Sequence, residues 1–187
     1  MTRMRRTVLF LALTLFLAAC SKGGPATAPS PLPEAGGDQA VVIDRILAGL
    51  DGVVGDAQRI LAKERRITPE VTDRLKAVYV GPELLNQIDA FRADVDNGLS
   101  GLKNPPGNRV TKVSQLITVS SICVFAQVLR DYGPATAGAA PPPAAMYVIL
   151  VTKDEADDPH ELNPTPWALL YDGVQADGAQ PEDVCRS

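Results

Sequence analysis

Residues 110–131 read VTKVSQLITVSSICVFAQVLRD, and this stretch decides the fold class that we expect for the chain. It is rich in β-branched residues, and Val113, Ile117 and Val119 share one parity, which is typical of a half-buried strand. Ser120-Ser121 suits a tight turn. We therefore predict a hairpin with strands at 110–119 and 122–131, although one long bent strand fits the same residues.

Two further strands are predicted after the hairpin, at residues 147–152 and 167–171. The segment 133–145 is rich in Gly, Ala and Pro, which predicts a mobile loop before the third strand. An acidic loop is expected at residues 153–163, between the third and fourth strands.

Three helices are predicted before the hairpin. Residues 38–63 place apolar side chains at the three-and-four spacing of one helical face. Three glycines inside this segment predict a break or a close helix-on-sheet contact: Gly49, Gly52 and Gly55. Two shorter helices have start signals at Thr68-Pro69-Glu70 and Gly81-Pro82-Glu83. The last helix carries one clean apolar face: Leu84, Ile88, Phe91 and Val95.

Helices followed by antiparallel strands indicate an α+β domain, with the N-terminal helices packed on one face of a short, curved antiparallel sheet. We expect this single domain to cover residues 38–187. The preceding Pro-, Gly- and Ala-rich segment cannot bury enough apolar surface to fold, so residues 20–37 are expected to form a disordered linker.

The N-terminus has the parts of an export signal. Three arginines within residues 3–6 precede an apolar run at 8–17, which is shorter than the roughly 20 residues that a membrane span needs. Leu17-Ala18-Ala19-Cys20 resembles the lipobox of bacterial lipoproteins. The resemblance implies that residues 1–19 are removed as a signal peptide and that Cys20 is lipidated. The alternative is an ordinary signal with a chance cysteine.

A lipid on Cys20 would anchor the mature protein to the cell membrane from the extracytoplasmic side. Loss of the leader removes three arginines and no acids, which lowers the formal net charge from −4 to −7. This charge argues against a nucleic-acid partner and against electrostatic docking to anionic lipid. The covalent lipid is therefore the expected membrane contact.

With Cys20 lipidated, Cys123 and Cys185 remain as one pair. In an exported protein an even remainder predicts a disulfide. It would close a loop of about 60 residues and contribute roughly 4 kcal/mol. Two independent buried thiols are the alternative.

A second resemblance covers residues 38–187. It rests on the lipobox, the linker, the three helices and four further features: Ser121-Ile122-Cys123-Val124, Asp131-Tyr132, Asn163-Pro164-Thr165-Pro166-Trp167 and a final cysteine. Together they resemble small lipoproteins of high-GC Gram-positive bacteria, whose layout is similar to the cone-shaped fold of the nuclear transport factor 2-like superfamily. That superfamily includes ketosteroid isomerase and polyketide cyclases, so the resemblance implies an apolar, cone-shaped interior.

An isomerase of that kind uses an acidic general base and a tyrosine donor. The candidates by residue type are Tyr79, Asp131, Tyr132, Tyr171 and Asp172. No motif assigns a role to any of them, and aspartates next to glycines at strand ends commonly form turns, which is our interpretation of Asp131 and Asp172. We therefore predict no catalytic residue and no cofactor.

Three aromatic residues are candidates for lining or plugging a pocket: Trp167, Tyr79 and Phe91. For Trp167, the only tryptophan, we favour a plug between helices and sheet over a ligand-stacking role, because a domain with few aromatics needs its largest side chain inside.

Six potential metal ligands crowd the acidic loop: Asp154, Glu155, Asp157, Asp158, His160 and Glu161. Their spacing is not that of a calcium-binding helix–loop–helix, so we expect a solvated acidic loop and no metal site. His160 is the only histidine and has no nucleophile beside it, which argues against a hydrolase.

These observations predict a non-enzymatic binding or accessory module of the cell envelope, whose target is an envelope protein or a small apolar ligand. The alternative is a small-molecule-transforming, isomerase- or cyclase-like enzyme with an apolar cone-shaped pocket. A purely structural surface protein is a third possibility.

Overall fold

A computed structural model describes residues 37–153, 158, 161–174 and 179–186. The predicted signal peptide at 1–19 and the lipidation site Cys20 lie outside the described residues, as does the linker up to residue 36. The described elements, in chain order, are α1 (Gly37–Glu64), α2 (Pro69–Val78), α3 (Pro82–Asp96), β1 (Val110–Val119), β2 (Cys123–Asp131), β3 (Ala144–Thr152), β4 (Trp167–Gly173) and a 3₁₀ turn (Val184–Arg186). The predicted α+β class is confirmed.

The two shorter helices begin where the sequence predicts. The hydroxyl of Thr68 accepts a hydrogen bond from the backbone N–H of Val71 at 3.3 Å, which caps α2, and Pro69 stands in the first turn. In α3, Phe91 is buried, and Leu84, Ile88 and Val95 pack against the same core. The predicted apolar face of α3 is confirmed.

The long first helix is unbroken over 28 residues despite its glycines, so the predicted break is absent. The close contacts are made with two loops and not with the sheet: a Cβ on Gly55 would overlap Asn108 Oδ1 in the loop before β1, and Gly49 meets the β3–β4 loop. A Cβ on Gly49 would lie 3.1 Å from Thr165 Cγ2 and 3.2 Å from Pro164 Cγ, whereas a Cβ on Gly52 would meet nothing within 4 Å. Gly49 therefore lets the β3–β4 loop rest directly on the helix.

The four strands form an antiparallel meander in the order β1-β2-β3-β4. The predicted β1–β2 hairpin is confirmed, and the alternative of one bent strand is wrong. Side chains of all three helices and of one sheet face form a single buried cluster, so the helices cover one face of the sheet. Past α2, the N–H of Val80 donates to the carbonyl of Leu169 at 3.0 Å and ties the helical layer to β4.

The pairing of β1 with β2 shifts register between Val113 and Gln115 and again between Leu116 and Thr118. An extra residue reverses the side-chain parity of a strand. Val113, Leu116 and Val119 consequently pack against the helical layer, while Ile117 packs on the opposite face. The predicted common parity of residues 113, 117 and 119 is wrong for Ile117.

A third register shift lies in β4, where Leu150 pairs with Leu169 but Ile149 pairs with Tyr171. Leu170 is the extra residue of this bulge. Leu170 and Tyr171 both pack on the face away from the helices, and Asp172 is turned into the buried side.

The second face of the sheet is covered by the C-terminal segment, residues 179–186. The segment is joined to β2 by a disulfide between Cys123 and Cys185. Thr118 Oγ1 also donates to Asp183 Oδ2 at 2.5 Å. Phe125 and Ile149 are buried beneath this segment in a small second cluster.

The first half of the loop after β2 is hydrogen-bonded to the segment between α3 and β1. The N–H of Lys103 donates to the carbonyl of Ala135 at 2.9 Å, and the N–H of Gly107 donates to that of Pro134 at 3.0 Å. The third strand also begins at Ala144, three residues before its predicted start. The segment 133–145, predicted as a loop, is therefore held by hydrogen bonds in its first half, and its last two residues belong to β3.

We expect Gly52→Ala to stabilise the domain by about 0.5–1 kcal/mol, because alanine removes backbone freedom and its Cβ enters open space. The matched change Gly49→Ala should be less stable than Gly52→Ala by about 1 kcal/mol or more, since its Cβ meets the proline-restrained loop. Urea unfolding of both variants measures the difference. Equal stabilisation would contradict the close loop contact.

Candidate functional site

Four charged side chains meet in the interior between the helices and the sheet. We call Asp51, Arg109, Arg130 and Asp172, with the phenol of Tyr79, the buried ion-pair cluster. The four charged side chains are each at most 6% exposed. Two arginines and two aspartates balance formally, as buried charges must.

Asp172 is the centre of the cluster. Arg130 Nη1 donates a short hydrogen bond to Asp172 Oδ1, and Arg109 Nη2 lies 3.3 Å from Asp172 Oδ2. Arg109 Nε donates to Asp51 Oδ1 at 2.6 Å, which connects the cluster to α1. One aspartate thus links β4 to β2 and to the start of β1.

Two hydroxyl groups also form hydrogen bonds with the charged side chains of the cluster. Tyr79 OH donates to Asp172 Oδ2 at 3.3 Å, and Arg130 Nε donates to Thr111 Oγ1 at 2.8 Å. Within the part of the chain that the structure describes, three atoms of the cluster are buried without a hydrogen-bond partner: Asp51 Oδ2, Arg109 Nη2 and Arg130 Nη2. The contact of Arg109 Nη2 with Asp172 is thus an ion pair without a hydrogen bond. Because such groups are costly to leave unpaired, the cluster is sensitive to the loss of any one member.

Burial and the neighbouring charges set the protonation states of Asp172 and Tyr79. Burial alone would raise the pKa of Asp172, but the charges of Arg109 and Arg130 outweigh it and hold that pKa below its usual value. Burial raises the pKa of the Tyr79 phenol well above its usual value. At neutral pH Asp172 is therefore ionised and Tyr79 remains a donor.

The structure brings together two of the five residues that were candidates by type, Tyr79 and Asp172. Interpreting Asp172 as a turn-former is wrong, because the β4 bulge directs it into the interior. Asp131 does form a turn, with Oδ1 accepting the N–H of Gly133 at 2.7 Å. Tyr132 OH donates to Met146 Sδ at 3.3 Å, and Tyr171 lies on the opposite sheet face.

Sequence reasoning missed Asp51, Arg109 and Arg130. For Arg130 a signal was present, since it shares its strand parity with the buried Val124, Ala126 and Val128. For Asp51 the signal was its position on the apolar face of α1, between the buried Leu47 and Val54. Charged residues in phase with apolar ones indicate buried partners.

The predicted pocket or plug residues all lie in the core. Trp167, Tyr79 and Phe91 are 3%, 1% and 4% exposed and belong to the cluster between helices and sheet. Asn163 holds the loop before Trp167 in place: its Nδ2 donates to the carbonyls of Trp167 at 2.8 Å and Ala77 at 2.7 Å.

Four residues of the acidic loop lie outside the described residues: Asp154, Glu155, Asp157 and His160. Asp158 is buried, so the prediction of a solvated acidic loop is wrong for this residue. It pairs with Lys153 Nζ at 2.7 Å and accepts the N–H groups of Leu162 and Asn163 at 2.9 and 2.8 Å. Burial would raise the pKa of Asp158, but these contacts bring it below its usual value. No cluster of three metal-ligating side chains occurs among the described residues.

A groove of about 320 Å³ lies on the other face of the sheet, between the start of α3, the bulge in β4 and the C-terminal segment. We call it the C-terminal groove. Its lining consists of Pro82, Glu83, Asn86, Ile149, Leu170, Tyr171, Pro181, Glu182 and Val184.

Glu83 is the most buried charged group of the groove, at 6% exposed. Its Oε1 accepts Gln87 Nε2 at 2.7 Å and its Oε2 accepts Asn86 Nδ2 at 3.3 Å. Burial raises the pKa of Glu83 despite these hydrogen bonds. Burial and the nearby charge of Glu83 also raise the pKa of Tyr171.

A second described pocket, of about 350 Å³, lies beside α2 and is lined by Glu70, Asp73, Arg74 and Leu162. It is mostly charged, and Arg74 Nη1 already pairs with Glu70 Oε1 at 3.2 Å. The C-terminal groove is the more apolar of these two pockets and the better candidate for ligand binding.

Comparison of the chain with known protein families, with curated proteins and with solved structures finds no match. The resemblance to lipoproteins with a nuclear transport factor 2-like domain therefore stays a prediction. Among the described helices, none has the length and apolarity needed to cross a membrane.

We expect Asp172→Asn to lower the free energy of unfolding by about 3–5 kcal/mol, because Arg130 would lose its carboxylate partner and Arg109 would keep only Asp51. The matched control is Asp131→Asn, at the end of β2, which keeps an acceptor for Gly133 and should cost less than about 1 kcal/mol. Urea unfolding under oxidising conditions measures both.

The pH dependence of the free energy of unfolding gives a second test of Asp172. Because the folded pKa of Asp172 is depressed, its contribution is complete above the unfolded pKa of about 3.9 and is lost as pH falls through the folded value. Asp172→Asn should therefore lose less stability on acidification than the wild type. Two results would contradict the central role of Asp172: equal losses of unfolding free energy in Asp172→Asn and Asp131→Asn, or the same pH dependence of stability in Asp172→Asn and the wild type.

Proposed function

We propose that this protein is a lipid-anchored extracytoplasmic lipoprotein whose domain serves the cell envelope as a non-enzymatic binding module. The C-terminal groove would receive a small apolar ligand. The observation that carries this proposal is the groove itself: an apolar depression of about 320 Å³, one wall of which is fastened to the sheet by a disulfide.

The disulfide supports an extracytoplasmic location, since such bonds persist in oxidising compartments and are rare in reducing ones. It joins Cys123 and Cys185, which leaves Cys20 as the remaining cysteine, within the lipobox-like stretch. These two facts support one consistent assignment of the three cysteines, with Cys20 lipidated and holding the protein at the membrane.

Ligand binding is supported by the size and lining of the groove. Specific ligand pockets usually enclose about 300–1,000 Å³ and combine apolar walls with a few polar groups. Here Ile149 and Leu170 provide apolar walls from the sheet, and Pro181 and Val184 provide them from the C-terminal segment. Glu83 and Asn86 are polar groups at one side. A protein partner remains the alternative target.

Binding is favoured over catalysis by the state of the interior acid. Asp172 accepts a hydrogen bond from the buried Tyr79, yet both of its oxygens face arginine groups and its pKa is depressed. A general base must be free to accept a proton at working pH. Asp172 is instead a structural anion.

One observation favours the enzymatic alternative. Glu83 and Tyr171 both line the C-terminal groove, and the pKa of each is raised. A carboxyl and a phenol beside an apolar surface are the groups that an isomerase- or cyclase-like enzyme would use. In that case the groove would hold a substrate and change it.

For the anchor, Cys20→Ala should release the protein from membranes or leave its leader uncut, because the acyl acceptor is gone. Membrane fractionation and intact-protein mass measure the two results. Ser21→Ala is the matched control and should remain anchored. A Cys20→Ala protein that is cleaved and still membrane-bound would contradict the lipid anchor.

For the ligand, native mass spectrometry of the full chain, exported and purified in detergent, should show an added mass that leaves on denaturation. Leu170→Asp should reduce its occupancy at least tenfold, since it places a charge on the groove wall. Leu85→Asp, at an exposed position of α3, is the matched control. Equal occupancy in both variants would argue against the groove, and a bound molecule that the protein converts would favour the enzyme.

A further inference from the structure

We infer that the C-terminal groove selects small apolar molecules that carry one ammonium group, and that Glu83 receives this group. The inference rests on the proposed function, because it specifies the ligand of the same groove. It follows from the position of Glu83, from the charges that line the groove, and from the ring of Tyr171.

Glu83 is a buried acceptor with unused capacity. It stands in the first turn of α3, where Gln87 and Asn86 each donate to one of its two oxygens. A carboxylate oxygen can accept two hydrogen bonds, so each oxygen of Glu83 retains an acceptor position. An ammonium group has three N–H donors and can use these positions.

The residues described as lining the groove supply no cation. They include two carboxylates, Glu83 and Glu182, and no Lys, Arg or His. Arg186, on the same C-terminal segment, is 70% exposed and pairs with Asp183 at 2.8 Å. On the core side the charges of Asp172 and Arg109 act on Glu83 in opposite directions. A bound ammonium would provide the counter-charge that a buried carboxylate requires.

The groove wall adds a second attraction for a cation. Tyr171 lines the groove beside Leu170, and an aromatic face attracts ammonium groups within about 6 Å of the ring centre. An anionic ligand would instead meet two carboxylates. The apolar body of the ligand would lie against Ile149, Leu170 and Val184.

The experiment compares three probes of one shape that differ in head-group charge: cyclohexylmethylammonium, cyclohexylmethanol and cyclohexanecarboxylate. Equilibrium dialysis at neutral pH uses the full chain in detergent micelles, with protein-free micelles as the blank for partitioning. We expect the ammonium probe to bind at least tenfold more tightly than the alcohol, and the carboxylate to bind most weakly.

Two variants test the role of the receiving carboxylate. Glu83→Gln keeps the shape of the side chain and removes its charge, so the preference for ammonium over alcohol should fall to about twofold or less. Glu70→Gln is the matched control, because Glu70 also follows a proline at a helix start but its side chain is 62% exposed. This variant should keep the wild-type preference.

The outcomes separate the inference from the proposed function. If the alcohol binds the wild type as tightly as the ammonium probe does, or if Glu83→Gln retains the preference, the ammonium inference is overturned and the apolar groove stands. If none of the three probes binds, both are overturned. Should Glu83→Gln fail to fold, the comparison of the three probes on the wild type still tests the preference for ammonium.

Discussion

The ion pairs of Asp172 are the contact on which the rest of the structure depends. Through Arg109 and Arg130 this one carboxylate joins β4 to the start of β1 and to β2, and the bond from Arg109 to Asp51 extends the connection to α1. Each of these charges is buried, so each needs its partner to offset the loss of hydration. A displacement of α1 relative to the sheet would therefore separate Asp51 from Arg109 and leave both charges buried without this partner.

A single extra residue in β4 builds both the interior cluster and the exterior groove. Without the bulge at Leu170, strand alternation would turn Tyr171 towards the helices and Asp172 away from them. With it, Asp172 reaches the arginines, and Tyr171 joins Leu170 on the wall of the groove. The stability of the core and the shape of the candidate ligand site thus have the same local cause. Bulges often occur where a side chain must be redirected next to a functional site.

The second face of the sheet acquires its cover from the end of the chain. The Cys123–Cys185 disulfide holds residues 179–186 against β1 and β2, which buries Phe125 and Ile149. The same segment supplies Pro181, Glu182 and Val184 to the groove. In a domain of this size, a covalent link that restricts the unfolded chain is an effective way to keep such a short segment in place. The proposed oxidising location and the proposed binding site therefore depend on the same bond.

The sequence alone determined the order of helices and strands, the cap at Thr68 and the apolar face of α3, and it favoured the β1–β2 hairpin over one bent strand. These features arise from neighbours within a few residues, where periodicity and capping act directly. The sequence also places Arg130 and Asp51 in phase with apolar residues, and this pattern indicates that both charges are buried and paired. Only the tertiary structure decided that Asp172 faces inward and that Arg109 meets both aspartates. That outcome depends on a register shift and on partners 42 or more residues apart, and residue spacing along the chain encodes neither.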